Sequence, residues 1–294
     1  MLANQTYLNT KNFKTIDKRS NLSRKELIKE YVDRSLPVVL TDATSKWKAI
    51  GKITPAFMKE TYGHISSEIN GIPYTISEYV DLMLASTPEN PAPYPFSFNI
   101  ERMFPELLAD LKPEIIYGKS DRVNHPLFPR FMLMGTEIYE IFLGSNGSSF
   151  PYLHVDLLSL HTQITQIYGS KEFFLYGPDQ TPYLYPRSDN PLASTVDIFN
   201  PDYERHPLFR EAKPYRVTLE QGETILFPTG WWHSTRIPNL SISLGRVQLN
   251  ANNWNAYLKA VYPEWKKKSA AFAPAVFVYG KLLGVLLNMQ EKLS

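Results

Sequence analysis

The chain has 294 residues, 43% of them hydrophobic and 13% aromatic, enough to bury a core in one large domain or two small ones. Thirty-one basic residues nearly balance 29 acidic ones, and the longest basic run is Lys266-Lys267-Lys268, so charge gives no nucleic-acid footprint. With no cysteine the sequence forms neither disulfides nor thiolate metal sites, and any metal must be held by nitrogen and oxygen.

The opening stretch MLANQTYLNTKNFKTIDKRS lacks the apolar segment of a secretory signal, which leaves the cytoplasm as the default location. Ser23-Arg24-Lys25-Glu26 is a capping box and predicts a helix over 24–34. Pro37 to Thr41 reads as a strand. Thr54 as N-cap with Pro55 at the first helical position predicts a helix ending at Gly63. A second capping box, Thr75-Ile76-Ser77-Glu78, predicts a helix over 76–86. Four prolines within residues 85–95 exclude regular structure there and predict a linker ahead of a helix at 104–111.

From about residue 130 the texture changes. RFMLMG, EIYEIFLG, YLHVD, TQITQIYG, KEFFLYG, YRVTL, ETILFP and LSISLGRVQL are short β-rich runs punctuated by Gly, Pro and Asn, which predicts a sandwich or barrel. Gln166 to Lys171 reads as a tight hairpin with Gly169 in the turn. After 250 the pattern is helical again. The apolar segment 272–289 is 18 residues long and contains Pro274, Lys281 and Asn288, short of the ~20 a span requires, so it predicts a helix packed on protein rather than a membrane span. The chain thus divides into an N-terminal helix-and-strand region (1–120), a β core (121–250) and C-terminal helices (251–294).

The chemistry lies in the β core. In PYLHVDLLSLHTQ (151–163), His154 and Asp156 are two positions apart, and on a strand such residues point to one face. His233 follows a strand and a Pro-Gly turn far downstream. A His-x-Asp pair plus a distant His is the pattern of a two-His, one-carboxylate site, which leaves open positions on iron(II). Lys171 opens the apolar run KEFFLYG, where an ammonium must be solvated, paired or functional. It reads either as a hairpin-rim residue or as the partner of a carboxylate ligand, across from the strand that follows His154 and Asp156. His161 faces away from Thr162 and reads as packing. Trp231 and Trp232 read as core anchors, and His64, His125 and His206 have no partner pattern. No Gly-rich phosphate loop, nucleophile elbow or paired glycosidase carboxylates stand out.

His154-Val155-Asp156, Gly169-Ser170-Lys171 leading into FFLYGPD, NPDYER from Asn200, GETILFP from Gly222, and Trp231-Trp232-His233 come in an order that resembles the jumonji-C, cupin-like iron(II)- and 2-oxoglutarate-dependent oxygenases. Within that family the likeness is to the subgroup typified by the asparaginyl hydroxylase of hypoxia-inducible factor. It covers about residues 130–250 and, more loosely, the first third. The resemblance implies a mainly β fold with a double-stranded β-helix (cupin, or jelly-roll) core, an α/β N-terminal region and C-terminal helices. It further implies Fe(II) on His154, Asp156 and His233, 2-oxoglutarate anchored by Lys171 with a polar contact from Thr162, O2 as co-substrate, and C–H oxidation with release of succinate and CO2. The substrate class stays open between a protein side chain, a small molecule and a tRNA base, and the reaction between hydroxylation and demethylation.

Three departures concern the co-substrate. Pro151 stands where relatives often have Thr, Gly245-Arg246-Val247 stands where many have Asn-Phe-Trp, and the region that often supplies a tyrosine reads Tyr94-Pro95-Phe96-Ser97-Phe98. Arg246 reads either as replacing a lost co-substrate contact or, preferred, as paired with Glu223 or another structural acid. These departures keep a non-catalytic metal-binding cupin, or an interaction scaffold, as alternatives to a hydroxylase. In the tail, Phe272, Val276, Tyr279, Leu283, Leu286 and Leu287 recur at helical spacing, with Val278, Leu282 and Val285 on the flank. This surplus of apolar face predicts a homodimer through the C-terminal helices, against a helix folded back on its own chain.

Overall fold

A computed structural model describes residues 12–115, 122, 123 and 125–293, and side chains as far as Met289; the first eleven residues, the expected boundary at 120 and the side chain of Gln290 lie outside it. The first third supplies β1 (Asp17–Arg19), α1 (Arg24–Leu27, continued by the wider turn Ile28–Val32), β2 (Val38–Leu40), α2 (Pro55–Tyr62), the hairpin β3 (Ser66–Ile69) and β4 (Ile72–Thr75), α3 (Ile76–Ala85) and β5 (Phe96–Asn99). Both capping boxes form as the side chains dictate: Ser23 and Thr75 each accept from the backbone of the glutamate three residues on, and that glutamate reaches back. Thr54 caps α2 by accepting from the Phe57 amide.

The core strands are β6 (Tyr139–Gly144), β7 (His161–Gly169), β8 (Lys171–Tyr176), β9 (Tyr215–Leu219), β10 (Thr224–Phe227), β11 (Trp232–Arg236) and β12 (Ser241–Gln248). They form two sheets, one of order β1-β2-β10-β7-β12-β6-β5 and one of order β11-β8-β9. Isolated bridges from His154 to His233 and from Ser149 to Arg236 lay a further extended segment along β11. This is the cupin-like double-stranded arrangement, with strands of the N-terminal region extending its larger sheet. Phe173, Leu175, Ile225 and Phe227 fill the space between the sheets at one end, while Tyr79, Phe96, Phe98, Ile141 and Ile242 join the larger sheet to the N-terminal layer. Two helices, α4 (Ala251–Lys268) and α5 (Ala273–Leu293), close the chain.

Several local expectations change. The 166–171 stretch is not a hairpin, because β7 and β8 belong to different sheets. Gly169 has φ +66°, and a Cβ there would meet the Leu240 carbonyl oxygen at 1.8 Å, while the Ser170 amide donates to Asn239 at 3.1 Å. The glycine therefore makes a corner that carries the chain from one sheet to the other. RFMLMG is not a strand: Arg130–Met132 is a 3-10 turn, and the Tyr257 hydroxyl donates to the carbonyls of Met132 and Met134, at 3.0 and 2.9 Å. The expected helix at 104–111 is a 3-10 helix, Pro105–Leu111, which follows the Asn99-capped turn Ile100–Met103; Pro105 cannot continue an α-helical ladder.

Among the described residues no helix is long and apolar enough to cross a membrane. Instead α5 folds back on α4. Ala273, Val276, Leu283 and Leu287 bury against Trp254, Leu258 and Val261, and the Trp254 indole donates to the Gly280 carbonyl at 2.9 Å. One side of the helix is thereby covered, whereas Phe272, Val278, Tyr279, Leu282, Val285, Leu286 and Met289 stay exposed. The close crossing requires glycine: a Cβ on Gly284 would lie 2.3 Å from the Trp254 indole nitrogen. Gly284→Val is accordingly expected to destabilise by about 1–3 kcal/mol, read as a melting temperature several degrees lower. An unchanged melting curve would show that α5 does not pack on α4 in this way.

Candidate metal centre and its cavity

His154 lies in the extended segment after Pro151, and His233 follows β10 and the turn at 228–230, as its sequence context suggests, and lies near the start of β11. A reciprocal pair of backbone hydrogen bonds joins them, His154 N–H to the His233 carbonyl at 3.1 Å and His233 N–H to the His154 carbonyl at 2.8 Å. The imidazole centroids are 4.2 Å apart. Each Nδ1 lies 3.3 Å from a carbonyl oxygen two residues upstream, that of Tyr152 for His154 and that of Trp231 for His233. With Nδ1–H donating there, both Nε2 atoms turn inward as bare acceptors.

Asp156 completes the group. Its Oδ1 is 3.7 Å from the Nε2 of His154 and 3.8 Å from that of His233, and all three ligand atoms fall within 4.8 Å of one another. Thr162 donates its hydroxyl to Asp156 Oδ2, which holds the other oxygen toward the imidazoles. Burial, then the adjacent His233 ring, pushes His154 well below the usual imidazole range, so it stays neutral. Two imidazoles and one carboxylate without sulfur fit a divalent first-row metal with positions left open, as iron(II) in a facial triad requires.

The triad opens into a cavity of about 420 Å³ whose lining includes Tyr94, Phe142, Thr162, Ile164, Lys171 and Gly245. Lys171 is 3% exposed. Its ammonium donates to the Tyr94 hydroxyl at 3.0 Å and to Ser243, and among the described residues no carboxylate pairs with it. Burial pushes its pKa down to about 7. The corner at Gly169 brings Lys171 into the cavity from the smaller sheet, so it does not sit across a hairpin from β7.

The sequence left open which ring of Tyr94-Pro95-Phe96-Ser97-Phe98 faces the site. It is Tyr94; Phe96 stacks on Tyr79 with centroids 4.0 Å apart, outside the cavity. Ser243 was missed, although its signal was present as the small residues Ser241, Ser243 and Gly245 at alternate positions of a buried strand. A β-bulge sits between Ile242 and Ser243. Thr162 contacts Asp156 while it lines the cavity. Arg246 pairs with Glu114 at 3.6 Å and lies over the Tyr139 ring, while Glu223 takes Lys18 at 2.6 Å instead. His161 is buried and accepts from the Thr229 amide, outside the cavity. Trp231 and Trp232 donate to the Ser35 carbonyl and the Thr181 hydroxyl as structural anchors.

A barrel of two sheets carrying two histidines and an aspartate at its mouth defines a cupin-type metal protein. Residues 70–254 match the family model described as a cupin-like domain, and the chain belongs to that family. It is 29% identical over 256 residues to the lysine-specific demethylase JMJ21 of Arabidopsis thaliana, covering 82% of this chain and 26% of that one. To the human HSPB1-associated protein 1 it is 31% identical over 118 residues, 39% of this chain and 22% of the other. To the tRNA wybutosine-synthesizing protein 5 of Gallus gallus it is 28% identical over 147 residues, 50% and 40% respectively. The chain thus spans well under half of these relatives' lengths. The family to which they belong is that of the jumonji-C iron(II)- and 2-oxoglutarate-dependent oxygenases.

The lysine gives a pH signature in the ligand-free protein. Below pH 7 it is charged both folded and unfolded, and its desolvation weakens the fold in full. Between pH 7 and the ordinary lysine range near 10.5 the folded state has released a proton that the unfolded state keeps, so stability rises with pH through that window. Denaturant titrations are expected to show that rise in the wild type and its loss in Lys171→Met. The same slope in both proteins would place the charge elsewhere.

Proposed function

We propose that this chain is an iron(II)- and 2-oxoglutarate-dependent oxygenase that hydroxylates a C–H bond of a protein side chain or a small molecule. The observation that carries the reading is a buried lysine that has no counter-anion among the described residues, in the same cavity as three convergent side chains of metal-ligand type. An ammonium in a dry wall calls for an anionic partner, and a dicarboxylate with one end on the metal and the other on Lys171 supplies it.

Iron(II) held by His154, Asp156 and His233 supplies the centre at which O2 is reduced. In the overall balance one oxygen atom enters the substrate C–H bond and the other enters succinate, while the first carbon of 2-oxoglutarate leaves as CO2. Tyr94 and Ser243 hold the Lys171 ammonium in place. Thr162 fixes the Asp156 carboxylate. Phe142, Ile164 and Phe173 exclude water from the wall around the co-substrate and strengthen the ion pair formed there.

Asp156→Ala is expected to abolish bound iron by elemental analysis and to remove the thermal shift that added metal gives the wild type. Lys171→Ala is expected to keep its iron while its 2-oxoglutarate requirement in succinate formation rises roughly 10- to 100-fold, the loss of a charge-assisted hydrogen-bonded pair. Wild-type iron in the first variant, or wild-type co-substrate affinity in the second, would defeat the assignment. The absence of succinate from the iron-loaded wild type would leave the non-catalytic cupin standing.

We also propose a homodimer through α5. Its exposed face, Phe272, Val278, Leu282, Val285, Leu286 and Met289, lies opposite the face packed on α4, and a second copy of the same helix matches it in a two-fold contact. Removing residues 270–294 would also uncover Trp254 and Leu258, so surface charges make the cleaner test. Leu282→Arg with Val285→Arg is expected to convert dimer to soluble monomer by light scattering. A wild-type monomer at micromolar concentration would end the proposal.

A further inference from the structure

We propose that Asn253, in the first turn of α4, is a positioning residue for the metal centre: its side-chain amide holds the turn that presents Asp156 to the two imidazoles. This rests on the reading of His154, Asp156 and His233 as metal ligands, and it adds a residue that lies outside the cavity, on a helix the site otherwise does not use. The chain leaves Asp156 through a short turn, Leu157–Ser159, and re-enters the barrel at His161. Leu158 and Ser159 both hold left-handed backbone, at φ 60° and 54°, and among the described residues no other two consecutive non-glycine residues do so. That conformation brings Cβ too close to the following carbonyl oxygen, so it persists only where the surrounding structure enforces it.

The turn does little to hold itself. Its own closing hydrogen bond, from the Leu160 N–H to the Leu157 carbonyl, is 3.5 Å long, at the outer limit for such a bond. The C-terminal helices hold it instead. Leu158 and Leu160 pack into the cluster built by Trp254, Leu258 and Leu283, which fixes the apolar side of the turn. Asn253, 1% exposed, donates its amide to the Ser159 carbonyl at 3.0 Å and to the Gln248 carbonyl at 2.9 Å, while its oxygen accepts the Asn250 N–H at 2.8 Å. One carboxamide therefore joins the turn after Asp156 to the end of β12 and to the cap of α4. The metal feels this because Asp156 is held from beyond the turn as well: Thr162, six residues on, donates to its Oδ2. When Leu158 and Ser159 relax to right-handed backbone, the carboxylate and the hydroxyl that holds it move apart. Oδ1 then loses its place 3.7 and 3.8 Å from the two Nε2 atoms, and the site weakens with every ligand still present.

The test is the affinity of the metal-free, full-length protein for iron(II), measured anaerobically by calorimetry at a temperature where each variant is folded by circular dichroism. Asn253→Ala is expected to weaken binding about tenfold, the loss of one hydrogen bond that the site depends on. The Asn253 oxygen is also half of the α4 capping box, so a second variant separates the two roles. Asn253→Asp keeps an oxygen for the Asn250 N–H and removes both donors; it is expected to lose affinity by the same factor, and it carries the test alone if Asn253→Ala does not fold. Ser159→Gly added to either variant is expected to recover most of the affinity, because glycine takes left-handed backbone without strain. Thr54→Ala, which removes the distant cap of α2 and so lowers stability without touching the turn, is expected to bind iron(II) as the wild type does. Wild-type affinity in either folded Asn253 variant, an equal loss in Thr54→Ala, or no recovery with Ser159→Gly each overturns the proposal. A wild type that binds no iron(II) fails the metal reading and this inference with it.

Discussion

The two backbone hydrogen bonds between His154 and His233 hold the whole site to its geometry. They fix the distance between two imidazoles that the sequence sets far apart, and they do so by main-chain atoms whose spacing varies little. Each ring is then oriented by a carbonyl of its own strand, two residues back, so extended backbone at both places determines where the Nε2 atoms point. Asp156 reaches the same spot because it is two residues beyond His154 on that extended path.

Local chemistry is what the sequence discloses well. The N-caps at Ser23, Thr54 and Thr75 involve partners three residues away, so residue identity alone specifies them. The His-x-Asp pair is legible for the same reason, since period-two geometry needs no knowledge of the fold. Long-range partners are not legible. Gly169 reads equally as a hairpin turn or a corner until Leu240 and Asn239 are placed against it. RFMLMG has strand composition, but Tyr257, more than a hundred residues later, takes its carbonyls. Tyr94 and Ser243 become site residues only because Lys171 arrives between them from the other sheet. Family resemblance pointed at the region of Tyr94 and could not choose the ring.

The departures from the family pattern acquire separate meanings. Pro151 is exposed and lies within the 149–154 segment that pairs with β11. Gly245 lies in the cavity wall, where a Cβ would stand 3.0 Å from the Phe142 ring and 3.1 Å from Ile164, so a larger residue would crowd those two side chains of the wall. Arg246 lines the same cavity and also reaches Glu114 and the Tyr139 ring, which ties the last core strand to the N-terminal layer. The differences therefore alter the volume and the outer support of the cavity and leave the three ligands and their orienting contacts intact.

The order of the segments along the chain has a bearing on how the protein is made. A nascent chain exposes His154 and Asp156 while β7 to β10 are still to be added, and at that stage the pair offers two donors to any passing ion. Only when β11 has been synthesised and zipped onto the 149–154 segment does the third ligand, the imidazole nitrogen of His233, arrive. A two-donor fragment holds a divalent ion far more weakly than the closed triad, so an ion captured early is free to leave. Choice of metal is thereby postponed until the barrel has closed, and the finished cavity, not the ribosome-bound chain, sets which ion stays.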